Sequence, residues 1–130
     1  MSENCSTFAA KIITNMPVPR RIIFYNDHFV TFYTAQTEEV RRKINQVLKL
    51  VETQEKIPNK FFRSIETVEG LFEIRIEMGS NIYRIFCCFD KGNLVVLFNG
   101  FQKKSQKTPS DQIARAERLK NEYFKEKEAR

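Results

Sequence analysis

The sequence predicts an α+β domain: an N-terminal strand, two helices, a three-stranded antiparallel meander and a closing helix. Three observations carry that reading. Val40, Ile44, Val47, Leu48 and Val51 recur at i, i+4, i+7, i+8 and i+11, which is one stripe of an amphipathic helix. "FEIRIEM" (72–78) alternates strictly, with Phe72, Ile74, Ile76 and Met78 on one side and Glu73, Arg75 and Glu77 on the other, the period of a half-buried strand. Two glycine-bearing dipeptides, Gly79–Ser80 and Lys91–Gly92, cut the following residues into consecutive apolar runs, as tight antiparallel turns do.

Taken in order, residues 1–17 have weak periodicity and end at Pro17; they read as an extension, disordered or tied down only in a complex. Residues 18–130 read as a single domain. "RRIIFYN" (20–26) has strand composition, and "HFVTFYT" (28–34) reads as a short helix. Thr37 is placed to cap the next helix, with Glu38 and Glu39 in its first turn, where the helix dipole favours acids. That helix stops before Pro58, which disfavours helical geometry in the residue ahead of it. After the meander ("FEIRIEM", "NIYRIFCCFD", "NLVVLFNGFQK"), Thr108 reads as a cap, Pro109 as the first helical residue and Asp111 as its reciprocating partner. Ile113, Ala116, Leu119 and Tyr123 give that last helix an apolar side.

A chain of 130 residues with 42% hydrophobic side chains, 12 of them Phe, is long enough to bury a core without cross-links. Cys5, Cys87 and Cys88 match neither a disulfide framework nor a zinc site. Cys87 and Cys88 would point to opposite faces of their strand and act as small buried hydrophobes in a reducing compartment. No apolar run approaches the ~20 residues of a membrane span, and "FAAKII" carries Lys11 inside it. The reading is a cytoplasmic protein with no membrane partner. The 22 basic against 16 acidic residues, +6 net, favour a polyanion as partner, nucleic acid or an acidic protein.

Pairing across the two turns gathers that charge. A two-residue loop at Gly79–Ser80 sets Arg75 opposite Arg84. A two-residue loop at Lys91–Gly92 sets Arg84 opposite Asn99, with Leu94, Val96 and Phe98 on the core face beside Tyr83, Ile85 and Cys87. The other face carries Glu73, Arg75, Glu77, Arg84, Asn99 and Lys103 toward one end. Like charges directly across a strand pair destabilise it, so the arginines need carboxylates or an anion. Two readings stay open. In one, Glu73 and Glu77 neutralise Arg84 and Arg75 diagonally in a solvated charge ladder. In the other, Lys103, Lys104 and Lys107 join the arginines to make an electropositive floor and rim for phosphate. The single histidine, His28, reads as a solvated side chain. There is no Gly-rich phosphate loop, metal-ligand cluster or nucleophile motif, so no metal or cofactor is assigned. The chemistry that remains is cation-assisted: orienting a 2′-OH toward its adjacent phosphate, neutralising the charge that develops, and moving protons.

"GLFEIRIEMGSNIYRIFCCFDKGNLVVLFNGFQKKSQKTP" resembles the HigB-type, phage-derived branch of the RelE/ParE toxin superfamily. The matching positions are Gly70, Leu71, Phe72, Glu73 and Arg75; Asn81, Tyr83 and Arg84; and Gly100, Phe101, Lys103, Lys104, Lys107, Thr108 and Pro109. The resemblance implies a RelE-like fold, a twisted antiparallel sheet with helices packed on it. It implies the toxin of a type II toxin–antitoxin system, a metal-independent endoribonuclease that cuts mRNA, commonly at the ribosome. Arg75, Arg84, Lys103 and Lys104 would be the catalytic residues, the arginines on the scissile phosphate and a lysine there or shuttling a proton. Lys107, Asn99 and Glu73 would contact RNA. The implied partner is an antitoxin, in this branch often with a helix-turn-helix domain. Several ribonucleolytic relatives have a tyrosine or histidine soon after the last strand; here none follows until Tyr123, and Tyr83 is placed on the core face. A gyrase poison of the ParE type, and an inactive member that binds only RNA or antitoxin, are the alternatives.

Overall fold

A computed structural model describes residues 19–103 and 109–129. The extension, Lys104, Lys107 and Thr108 therefore lie outside the described residues. The elements run β1 (Arg21–Phe24), α1 (His28–Thr34), α2 (Glu38–Thr53), β2 (Phe62–Ser64), β3 (Phe72–Met78), β4 (Asn81–Asp90), β5 (Leu94–Lys103) and α3 (Ser110–Glu128). This is the α+β order read from the sequence, with three helices. The strand β2, three residues long, was not anticipated.

Local chemistry explains the boundaries. The Thr37 hydroxyl accepts from the Val40 amide at 3.3 Å, so one orphan donor of the first turn is satisfied. Val40, Ile44, Val47 and Val51 are buried along the stripe, with Leu48 partly so. Pro109 occupies the cap position of α3, one residue later than expected, and its carbonyl accepts from Gln112 and Ile113. Gly79 has φ +63° in the two-residue loop between Met78 and Asn81, a conformation suited to glycine.

The sheet order is β1-β5-β4-β3-β2. It is mixed, since β1 runs parallel to β5, with Arg21 opposite Leu94 and Phe24 opposite Leu97. The expectation of a wholly antiparallel sheet is corrected at that one pair: β1 adds at the outer edge of the last strand and runs in its direction.

The β3–β4 register is the predicted one, Arg75 directly opposite Arg84. The β4–β5 register is not. Asp90 pairs with Leu94, so the loop holds three residues, Lys91, Gly92 and Asn93, the first two with φ +45° and +76°. Farther along, Cys87 pairs with Leu97 but Ile85 with Gly100. Phe86 thus faces both Phe98 and Asn99, the two-against-one arrangement of a β-bulge. Arg84 lies opposite Phe101, not Asn99. Val95 and Leu97, rather than Leu94, Val96 and Phe98, join the core face of Tyr83, Ile85 and Cys87. The reason is physical: helices cover both faces of β5, so both of its faces are apolar and parity does not identify the register.

The first core lies between the sheet and α1 and α2, built on Phe29, Ile44, Val51, Ile74, Ile76 and Ile85. The second lies under α3, on Tyr25, Leu71, Phe86, Cys88, Val96, Phe98, Ala116 and Leu119. Cys87 and Cys88 fall in different cores and are free thiols. Polar pins hold α3 down. Tyr25 Oη donates to Glu126 Oε2 at 2.6 Å, and burial followed by that carboxylate pushes its phenol up to about 12. Tyr123 Oη and Lys127 Nζ both reach Asp90, at 2.7 and 2.6 Å. Their hydrogen bonds hold the Asp90 carboxyl below its ordinary range.

Gly100 is the glycine that the packing leaves least room around: a Cβ there would lie 2.6 Å from Phe32 Cδ2 of α1. Gly100→Ala is expected to cost roughly 1–3 kcal/mol through overpacking. Adding Phe32→Ala should recover part of that loss, read as non-additive midpoints in urea unfolding. Additive losses would refute the contact.

Candidate functional site

Alternation sends Ile74, Ile76, Tyr83 and Ile85 to the first core, so Glu73, Arg75 and Arg84 stand on the opposite face, the one α3 partly covers. There α3 lies over Phe86, Cys88, Val96 and Phe98. The sheet beyond that apolar patch carries the charged residues. Arg63 on β2 pairs across to Glu73, Arg75 to Arg84, and Lys103 to Ile82 on β4. Residues directly opposite share a face, so Arg63, Glu73, Arg75, Arg84 and Lys103 form one cluster drawn from four strands.

The two arginines are not equivalent. Arg84 is 5% exposed and Glu73 6%, and Arg84 Nη1 lies 2.7 Å from Glu73 Oε2 and 3.0 Å from Oε1. Burial lowers the Arg84 pKa, Glu73 opposes that, and Arg75 and Arg63 add to it. Arg75 is more open. Its Nε meets Glu77 Oε2 at 3.0 Å, and the Glu77 side chain is 43% exposed. The carboxylates anticipated from the sequence do answer the arginines, but not as a solvated ladder: the Arg84–Glu73 pair is buried and only Arg75–Glu77 is open to solvent.

Lys103 is half-buried at the end of β5. Burial depresses its pKa first, then Arg84 and Arg75; Glu73 works against them and Arg63 with them. Burial and neighbours of its own sign thus lower its proton affinity together, as they do for Arg84. Arg63, exposed and anchored by Nε to the Asn59 carbonyl at 2.9 Å, is a member that sequence reasoning missed. Its strand is too short to show a period, and "FRS" carries no turn signal at either end.

Asn99 is elsewhere. At the bulge, 1% exposed, it donates from Nδ2 to Gln112 Oε1 at 3.2 Å and to the Gln112 carbonyl at 3.5 Å. It faces α3 rather than a ligand. Its Oδ1 has no hydrogen-bond partner. His28 borders a second feature, a cleft of about 480 Å³ between α1, β5 and α3, with Arg115 Nη2 3.4 Å from its Nδ1. Among the described residues, no three His, Cys, Asp or Glu side chains converge as a metal site, and no helix is long and apolar enough to cross a membrane.

The depth difference predicts different costs of truncation. Arg84→Ala strands a buried carboxylate, which typically costs about 3–5 kcal/mol. Arg75→Ala, with an exposed partner, should cost under about 1 kcal/mol. Chemical denaturation of the two variants checks this, and equal losses would contradict the burial of the Arg84–Glu73 pair.

Comparison with known proteins adds to the geometry. A search of curated proteins finds no match. Among solved structures, a chain from the archaeal RelE–RelB complex of Pyrococcus horikoshii OT3 is similar in fold, with a TM-score of 0.50 at 16% identity over 68% of this chain and 99% of that one. The fold is therefore RelE-like. The pattern of the family described as "Phage derived protein Gp49-like (DUF891)" matches residues 32–121, from within α1 through β2 to β5 and into α3. The chain belongs to this phage-derived Gp49-like family.

Proposed function

We propose that the chain is the toxin of a type II toxin–antitoxin pair, of the HigB type, and that it is an endoribonuclease acting on mRNA at the ribosome without a metal. The observation that carries this reading is the convergence of Lys103, Arg75, Arg84 and Arg63 on one sheet face around a single buried carboxylate. A compact cationic face of that kind suits a phosphodiester. The RelE-like fold and the Gp49-like family support it, and the relative was solved as a complex with RelB, which supports an antitoxin partner. In this branch we expect that partner to carry a helix-turn-helix domain.

The roles follow from depth and basicity. Arg75 and Arg63, the more open cations, contact the scissile phosphate and its neighbour. Arg84, fixed by Glu73, supplies positive potential from below without leaving its pocket. Glu73 is thereby its positioning partner rather than an RNA contact. Lys103 in its neutral form takes the proton of the 2′-OH as O2′ bonds to phosphorus. The P–O5′ bond breaks, and the ammonium returns the proton to the departing 5′ oxygen, leaving a 2′,3′-cyclic phosphate. Lys104 and Lys107, outside the described residues, are assigned to the RNA on the resemblance alone.

The test is 5′-end mapping of a reporter mRNA in a translating extract. New ends should appear with the wild-type protein and fall by about 10²-fold or more with Lys103→Ala, while Arg75→Ala weakens cleavage without unfolding the chain. Intact mRNA with folded wild-type protein would overturn the reading.

The pH dependence has a definite sign. Only neutral Lys103 accepts a proton, so the rate constant should rise with pH and level off below the ordinary lysine value of about 10.4, because the Lys103 pKa is lowered. Lys103→Arg stays charged and should lose that rise. A flat profile in the wild type would remove Lys103 from the proton transfer.

A further inference from the structure

The bulge in β5 decides which way Lys103 points. Counting back from the loop, Asp90 pairs with Leu94 and Cys87 with Leu97. Continued without interruption, that register would set Lys103 opposite Asn81, on the face of Tyr83 and the first core. The extra residue at Phe98–Asn99 shifts the pairing by one, so Lys103 lies opposite Ile82 and shares the face of Arg84. Because side chains alternate with a period of two, a single residue moves the amine from one side of the sheet to the other.

Two contacts hold the bulge. Gly100 provides the steric one, since only a residue without Cβ fits against Phe32. Asn99 provides the polar one. Its buried amide spans from the bulge to the first turns of α3, where Gln112 accepts both of its hydrogen bonds. Gln112 is half-buried, and its helix is fixed independently at the far end through Tyr25, Tyr123 and Lys127. The α3 helix is therefore an anchored post to which the strand is tied at the point where its register changes.

We propose that Asn99 and Gln112 are positioning residues: their amide clamp locks the β5 bulge and so holds the Lys103 amine on the arginine face. The role rests on the ribonuclease reading for its functional meaning, but not for its test. The groups facing Lys103 are Arg84 from β4, Arg75 and Glu73 from β3, and Arg63 from β2. Their joint effect on its titration reports the position of the amine directly.

The experiment titrates the Lys103 side chain by NMR in the full-length protein, with Gln112→Met as the variant that keeps size and removes the side-chain acceptor, the nearer of the two. The wild-type midpoint should lie below the ordinary lysine value. Gln112→Met should move it up toward that value and lower the RNA cleavage rate about tenfold, while far-UV circular dichroism stays unchanged. A second variant separates clamping from general packing. Deleting Asn99 removes the extra residue itself and leaves a regular strand in which Ile85 still meets Gly100 and Ile82 still meets Lys103. Its Lys103 should titrate as in the wild type, and adding Gln112→Met should then change nothing. An unshifted Lys103 in Gln112→Met overturns the clamp, as does a shift that persists without Asn99. Intact RNA with a wild-type Lys103 that titrates low overturns the ribonuclease reading and leaves the clamp standing.

Discussion

The ion pair between Arg84 and Glu73 is the constraint around which the charged face is arranged. Two charges at 5% and 6% exposure have each given up most of their hydration, a penalty of several kcal/mol per ion that only close pairing offsets. The pairing is close, 2.7 Å, and it fixes the guanidinium against the sheet beside Phe86, the residue directly opposite Glu73. With Glu73 committed to Arg84, no second buried carboxylate among the described residues is within the cluster to neutralise Arg75, Arg63 or Lys103. Glu77 answers Arg75 from the exposed side. The face therefore keeps a positive excess that is not an accident of composition but a consequence of which carboxylate is buried.

That excess acts at the end of β5, and so the geometry of β5 matters as much as the charges. The strand is pinned on three sides: by β1 up to Leu97, by Phe32 at Gly100, and by Gln112 at Asn99. Past Leu97 it has no strand partner on the β1 side, and α1 takes that place. A strand held by helices rather than by a neighbouring ladder has freedom to bulge, and here the bulge brings a lysine beside two arginines. Desolvation and like charge then act on that lysine together.

How much of this the sequence disclosed depends on how one-sided each strand is. The β3–β4 hairpin was legible in full, because Glu73, Arg75, Glu77 and Arg84 cannot exchange places with Ile74, Ile76 and Tyr83 without burying unpaired charge. The β4–β5 hairpin was not. Residues Val95 to Phe98 are apolar on both faces and buried on both, so a shift by one residue costs nothing that a pattern detects. Two errors of one residue, the longer loop and the bulge, add to a shift of two beyond Asn99, which restores the face while leaving Arg84 opposite Phe101. Lys103 was consequently placed on the correct face for an incomplete reason, while Asn99 was placed in the site and belongs under α3. Arg63 escaped notice because a three-residue strand has no readable period. The depth of Arg84, as opposed to its position, was out of reach, since it depends on what lies above the sheet and not on the alternation within it.

The same geometry bears on the tyrosine or histidine that the resemblance led one to expect after the last strand and that this sequence does not have before Tyr123. Phosphodiester cleavage through a 2′-OH needs charge neutralisation and proton movement, and these make opposite demands. Neutralisation wants a group that never loses its proton; arginine, with an intrinsic pKa above 12, is such a group. Proton movement wants one that does. Lysine meets the second demand only where its ammonium is made costly, by partial burial and by cations held close. Arg84 is held close because Glu73 fixes it, and Arg75 is held opposite because the β3–β4 turn admits one register. On the proposed reading, then, the residues that neutralise the phosphate also make the neighbouring lysine fit to act as its base. One cluster supplies both functions, and no separate aromatic or imidazole group is required.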